Sequence, residues 1–223
     1  MGKIRNSRES ALTIIEVLLV IAIIAILLAM FLPALAYSGP DTGGRCAGNL
    51  KQIGGATQSW LIDHHDNYPM EVSTNDGGTK EFKFGSETFE HFIVLSNYLK
   101  RGSPVLVCPI DRRDGYPYPP KDFLSLSNLD VSYFINLNAT HSRNNFFLCG
   151  DFFLTSSVPQ VDGILTVSKE TTVGWKTKHF RSASRFSGNI LFPDGHVDSL
   201  PDRKLQKALN KSDIATNNLS MPD

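Results

Sequence analysis

One carboxylate stands out by its surroundings. Glu16 lies near the start of an otherwise apolar run, Ser10 to Pro33, long enough to cross a bilayer as a helix rising about 1.5 Å per residue. An ionisable group in such a segment costs roughly a few kcal/mol unless it is paired. Glu16 therefore reads as a functional position whose chemistry is charge complementarity in an apolar interior; the bland alternative is an acid near enough to the interface to reach water. His64, His65 and Asp66, and again Asp194, Gly195 and His196, invite a metal reading. Neighbours on a helix point about 100° apart, so His64 and His65 do not easily share an ion. No His-Glu-x-x-His, paired Cys-x-x-Cys or EF-hand spacing supplies a ligand set, and no metal is expected. There is no Gly-x-Ser-x-Gly elbow and no glycine-rich phosphate loop, and nothing beside Cys108-Pro109 in sequence lowers a thiol pKa. No catalytic residue and no cofactor is expected, and the chain reads as a non-enzyme.

The three cysteines, Cys46, Cys108 and Cys149, all follow the apolar run. They allow one pair and one leftover thiol, and spacing alone does not choose the pair. Cys46–Cys108 is the favoured candidate, closing a loop of about 60 residues between a helix and a sheet. Cys108–Cys149, or three buried thiols, are the alternatives. The 22 basic and 22 acidic residues cancel, so no general field attracts nucleic acid, and no nucleic-acid partner is expected. Lys176, Lys178 and Arg181 read as a solvated surface.

These residues need elements to hold them. Lys3, Arg5 and Arg8 against Glu9 form a basic leader, 1–11, which keeps the N-terminus cytoplasmic. The segment 12–36 is expected as a membrane helix. A secretory signal peptide cut after Ala34-Leu-Ala36 is the competing reading, disfavoured by the length of the run and by its acid. Tyr37 to Gly44 is a Gly/Pro break, because Pro40 lacks an amide donor and clashes with the preceding turn. A second helix is expected from about Thr42–Arg45 to Asp66, burying Cys46, Leu50, Ile53, Thr57, Trp60, Leu61 and His64 and exposing Lys51, Gln52, Gln58 and Asp63. Gly54 and Gly55 weaken it and permit close approach of a sheet.

The remainder to 216 reads as an α+β domain with that helix packed on an antiparallel sheet. Thr88–Leu99 is expected as a short helix, and Val105–Cys108, Val131–Leu137, Phe146–Leu154 and Ile164–Val167 as strands. Asn189–Phe192 and His196–Leu200 should pair through a turn made by Pro193, Asp194 and Gly195, with Gly195 left-handed. Ser73–Lys80 and Tyr116–Asp130 read as surface loops, and 217–223 as a flexible tail.

The run Ala11-Leu12-Thr13-Ile14-Ile15-Glu16, after a basic leader and before a membrane helix, resembles the type IV pilin and type II secretion pseudopilin family. The resemblance implies a pilin-like fold, cleavage between Ala11 and Leu12 by a prepilin peptidase, and methylation of the new amino group. It makes Glu16 the fifth mature residue, neutralising the amino terminus of an adjacent subunit, and Pro33 the twenty-second, where many members carry proline. Ala11 and Leu12 stand where Gly and Phe are usual. Cys46–Gly54, Asp63–Pro69, Leu106–Asp111, Ser132–Asn136 and Asn189–Val197 are similar to a pilin-like branch abundant in planctomycete, verrucomicrobial and lentisphaeral genomes. Its processing-associated domain carries a histidine ten residues before Asp-Gly. Here Ser184 holds that position, so the element is degenerate. Some pseudopilins bind calcium through loop carboxylates, a role open to Asp111 or Asp114.

The function implied is a structural subunit of a type IV pilus or type II secretion pseudopilus. Its partners would be the prepilin peptidase, other pilin or pseudopilin subunits and the inner-membrane assembly platform. It would cross the inner membrane once, with the globular domain periplasmic or on the cell surface. The alternative is a membrane-anchored or secreted binding module or hydrolase, which needs neither Leu12 nor Glu16.

Overall fold

The computed structural model describes residues 13–35, 42–99, 102–111, 113, 122–141, 147–176, 186–212 and 214–222. The leader and cut site through Leu12, Ala36 of the expected membrane segment, residues 37–41 of the Gly/Pro break, Asp114, Lys178, Arg181 and Ser184 lie outside the described residues. The chain divides into two units, Met1–Pro40 and Asp41–Asp223.

The first unit is α1, Ile14–Leu35, 22 residues long. Its apolar side chains from Ile14 to Leu28 are exposed. Of the expected membrane segment 12–36, Ile14–Leu35 is an apolar helix. Among the described residues, no helix is long and apolar enough to cross a membrane.

The second unit begins with α2, Thr42–Asp63. Thr42, Gly43 and Gly44, expected within the Gly/Pro break, are helical. Five glycines give α2 little intrinsic helicity, so its buried face must hold it. That face is Cys46, Leu50, Ile53, Ala56, Thr57, Trp60 and Leu61, all nearly inaccessible. Gly54 is the point of closest approach: a Cβ there would stand 2.8 Å from Leu191 Cδ1. Gly55 faces open space. The helix stops at Asp63, short of the expected Asp66, because His65 and Asp66 adopt positive φ of 54° and 61°.

Next come α3 (Glu90–Ile93), β1 (Tyr133–Asn136), β2 (Cys149–Asp151), β3 (Leu154–Ser156), β4 (Ile164–Ser168), β5 (Val173–Trp175), β6 (Ser187–Leu191), β7 (Val197–Pro201), α4 (Asp202–Lys211) and β8 (Thr216–Ser220). A six-stranded antiparallel sheet runs β4-β8-β1-β2-β6-β7, and β3 and β5 form a two-stranded one. One core cluster gathers α2, β1, Phe92 of α3 and the segment that includes Leu106 and Cys108. A second gathers Phe134, Trp175, Ile190, Leu205, Leu209 and Leu219, with α4 packed against β5 and β7.

Several expectations need correction. Val105–Cys108 is not a strand: Ser103–Leu106 is a 3₁₀ turn, entered through Gly102 at φ 71° and favoured by Pro104 near its start. Phe146–Leu154 is not one strand, since the chain leaves the large sheet after Asp151 and re-forms as β3 in the small one. Thr88–Leu99 holds only one α turn, continued by looser turns through Leu99 where β-branched Ile93 and Val94 disfavour a regular helix. The expected flexible tail is wrong from its first residue: Asn217 to Ser220 belong to β8, which lies inside the sheet between β4 and β1. Leu219 is 1 % exposed there.

Candidate functional site

Among the described residues of the first unit, the polar side chains Thr13 and Glu16 stand together at the start of α1. The Thr13 backbone N–H and Oγ1 both donate to Glu16 Oε2, at 2.9 and 3.0 Å, and the Glu16 N–H donates to Thr13 Oγ1 at 3.4 Å. This reciprocal capping box satisfies donors that a helix start leaves open and holds the carboxylate beside the first turn. Glu16 is the single charge in Ile14–Leu35. Pro33 lies in the last turns of the same helix, which continues through it to Leu35. Ala11 and Leu12 lie outside the described residues.

In the second unit, Cys46 of α2 and Cys108 are joined by a disulfide, with Cα atoms 5.2 Å apart. It fastens α2 to the loop before β1. Asn49, one turn along α2, reinforces the join by donating Nδ2–H to the Val107 carbonyl at 2.9 Å. Cys149 is buried and unbonded to another cysteine. Burial, and then the nearby Asp151 carboxylate, push its thiol pKa well up, so it is no nucleophile. Asp151 is inaccessible and accepts from the Asn189 backbone N–H at 2.5 Å and Nδ2–H at 3.0 Å on one oxygen.

The β6–β7 hairpin is the turn expected. The Gly195 N–H donates to the Phe192 carbonyl at 2.9 Å, and Gly195 sits at φ 85°. Asp194 Oδ1 accepts from the His196 N–H at 3.0 Å and lies 2.5 Å from His196 Nδ1. Against a burial penalty, these His196 groups hold the Asp194 carboxyl below its ordinary range. The His196 ring stacks on Phe192, centroids 4.3 Å apart. Gln58, expected on the outer face of α2, instead reaches the hairpin and donates Nε2–H to the Pro193 carbonyl at 2.6 Å. Asp194 and His196 thus serve a turn, and no third ligand joins them among the described residues.

The other metal candidates are likewise occupied locally. His64 stacks on Trp60 at 3.6 Å, with Nδ1 3.0 Å from the Trp60 carbonyl. Asp66 stands 3.9 Å from His141 Nε2, and both are exposed. Asp111 is buried, bound by Arg113 Nη2 at 2.7 Å and Ser132 Oγ at 2.6 Å, which leaves it poorly placed for calcium. Arg113 also donates to the Val131 carbonyl and packs over Phe152. An open groove of about 570 Å³ beside β4 carries one lysine, Lys83, and one aspartate, Asp162, among otherwise neutral residues such as Phe84 and Val161.

Thr13 is missed by reading Glu16 alone, although the Thr-x-x-Glu spacing is itself the signal of a capping box. Asp151 and Asn189 are missed because each looks like an ordinary strand residue and their partnership spans 38 positions. Arg113 lies in a stretch read only for its carboxylates. Searched against family models, curated proteins and solved structures, the chain matches none.

Proposed function

We propose that the chain is a structural subunit of a type IV pilus or type II secretion pseudopilus, anchored and then assembled through α1. One observation carries the reading: a 22-residue apolar helix whose single charge, Glu16, is held at its entrance by Thr13. At about 1.5 Å per residue such a helix is about 33 Å long. The same length lets apolar helices stack in a filament core, where Glu16 meets the mature amino terminus of a neighbour. An unpaired buried charge costs several kcal/mol, so the pairing selects register.

Partners on this reading are the prepilin peptidase, like subunits and the inner-membrane platform. The second unit is displayed outside the cytoplasm, where a Cys46–Cys108 disulfide persists. It performs no turnover. Mass spectrometry of the native N-terminal peptide is the test. A methylated Leu12 is expected, and a mature chain beginning after Ala36 would overturn the proposal in favour of a secreted module.

A further inference from the structure

Two cysteines far apart in sequence, Cys46 and Cys108, meet beside a buried carboxylate. Ligand atoms of Cys46, Cys108 and Asp151 all lie within 4.8 Å of one another. Cys149 precedes Asp151 by two positions on β2, and alternate residues of a strand share a face. Gly150 between them points the other way, where a Cβ would meet Ile190 and Phe134. Cys149 also packs in the core cluster that holds Cys46 and Cys108. All four residues are at most 1 % exposed. The Cys149 sulfur lies outside that group of three atoms but shares their side of β2, and turning it toward them would complete the donor set of a tetrahedral zinc site, with about 2.3 Å to each sulfur and about 2.0–2.2 Å to oxygen. Asn189 already orients the carboxylate through Oδ2, the kind of second hydrogen bond that fixes metal ligands.

We propose that the reduced chain binds a zinc ion through Cys46, Cys108, Cys149 and Asp151, and that formation of the Cys46–Cys108 disulfide expels it. A dithiol reductant supplies two electrons and two protons to open the S–S bond, itself closing to a disulfide. Zinc then displaces three thiol protons while the carboxylate binds as the anion. A disulfide oxidant reverses the sequence: it accepts the two electrons and, with two protons from water, closes its own cycle as a dithiol, while Cys46 and Cys108 join, zinc leaves and Cys149 regains its proton. This inference does not depend on the filament reading. It gives the chain two mutually exclusive ways to fasten α2 to the sheet, one for a reducing compartment and one for an oxidising compartment.

The test uses the full chain in detergent, reduced with a dithiol, freed of it without air, and titrated with cobalt(II) and then zinc. The reduced protein is expected to take one cobalt per chain, with a thiolate-to-cobalt charge-transfer band and the strong visible bands of tetrahedral cobalt. Zinc should bleach both, and the oxidised protein should show neither. Cys149→Ser leaves the disulfide intact and should remove about a third of the charge-transfer intensity, since one of three thiolates is lost. A reduced chain with only weak octahedral cobalt bands would overturn the proposal, and an unchanged spectrum in Cys149→Ser would overturn the four-ligand set. Far-UV circular dichroism covers loss of fold on reduction. Recovery of structure on adding zinc supports the site, and a chain that stays unfolded with zinc refutes it.

Discussion

His91 is a buried base with a measurable cost. Its ring is inaccessible, and Nδ1 lies 2.7 Å from Thr79 Oγ1. Thr79 is itself tied down by its N–H to the Pro69 carbonyl at 2.7 Å. Burial, and secondarily the Lys83 cation, lower the His91 pKa from 6.5 to about 4. The folded state therefore keeps the ring neutral, while the unfolded chain takes up a proton below its ordinary pKa. Stability from this group is complete above about pH 6.5 and is lost as pH falls toward 4. At roughly 1.4 kcal/mol per pH unit, the gap between the two values is worth about 3 kcal/mol. Denaturant midpoints for the full chain at pH 7 and pH 4 measure the total loss. His91→Gln removes the titrating group while keeping a polar side chain, so its loss over the same interval should be smaller by about 3 kcal/mol. Equal pH dependence in the two proteins would refute the reasoning, as would an NMR titration placing the His91 ring near 6.5.

Three further outcomes follow from the geometry. On the proposed filament reading, Glu16→Leu should preserve or improve membrane association and abolish efficient incorporation into filaments, as read by comparing membrane fractions with sheared surface material. Gly55→Ala should stabilise by about 0.5–1 kcal/mol because its Cβ enters open space, whereas Gly54→Ala should fall about 1–3 kcal/mol below it because fully buried Leu191 must move; thermal melts compare the pair. A chain ended after Ile214 should lose protease resistance throughout the second unit, because β4 and β1 then lack the strand between them.

What could be read from sequence follows from where the stabilising partners lie. The α2 face was legible because Cys46, Leu50, Ile53, Thr57, Trp60 and Leu61 repeat at helical spacing and fill one side. The β6–β7 turn was legible because Pro193 and Gly195 carry their backbone preferences with them. β8 was not, because Thr-Asn-Asn-Leu-Ser has no apolar alternation. Its amides find partners instead: Asn136 Nδ2–H donates to Asn217 Oδ1 at 2.9 Å, Thr166 Oγ1–H to Asn218 Oδ1 at 3.0 Å, and the Asn218 N–H to Asn138 Oδ1 at 2.7 Å. Those partners come from strands and loops far away in the chain, so no local window contains the signal. α4 was missed for a milder reason: Leu205 and Leu209 mark one narrow stripe in a short charged segment that follows directly on a strand.

The position of β8 also sets an order of events. Its neighbours β4 and β1 are made some 50 and 80 residues earlier, yet neither can complete its hydrogen bonding until 216–220 arrives. A chain emerging from the ribosome therefore carries an unfinished sheet for most of its passage. Contacts this distant in sequence close slowly, and the open strand edges are vulnerable to aggregation or degradation while they wait. Arrival of β8 would close the gap between those edges late in the passage. An interrupted chain would leave it open, giving proteases and chaperones a way to tell a partial product from a finished one.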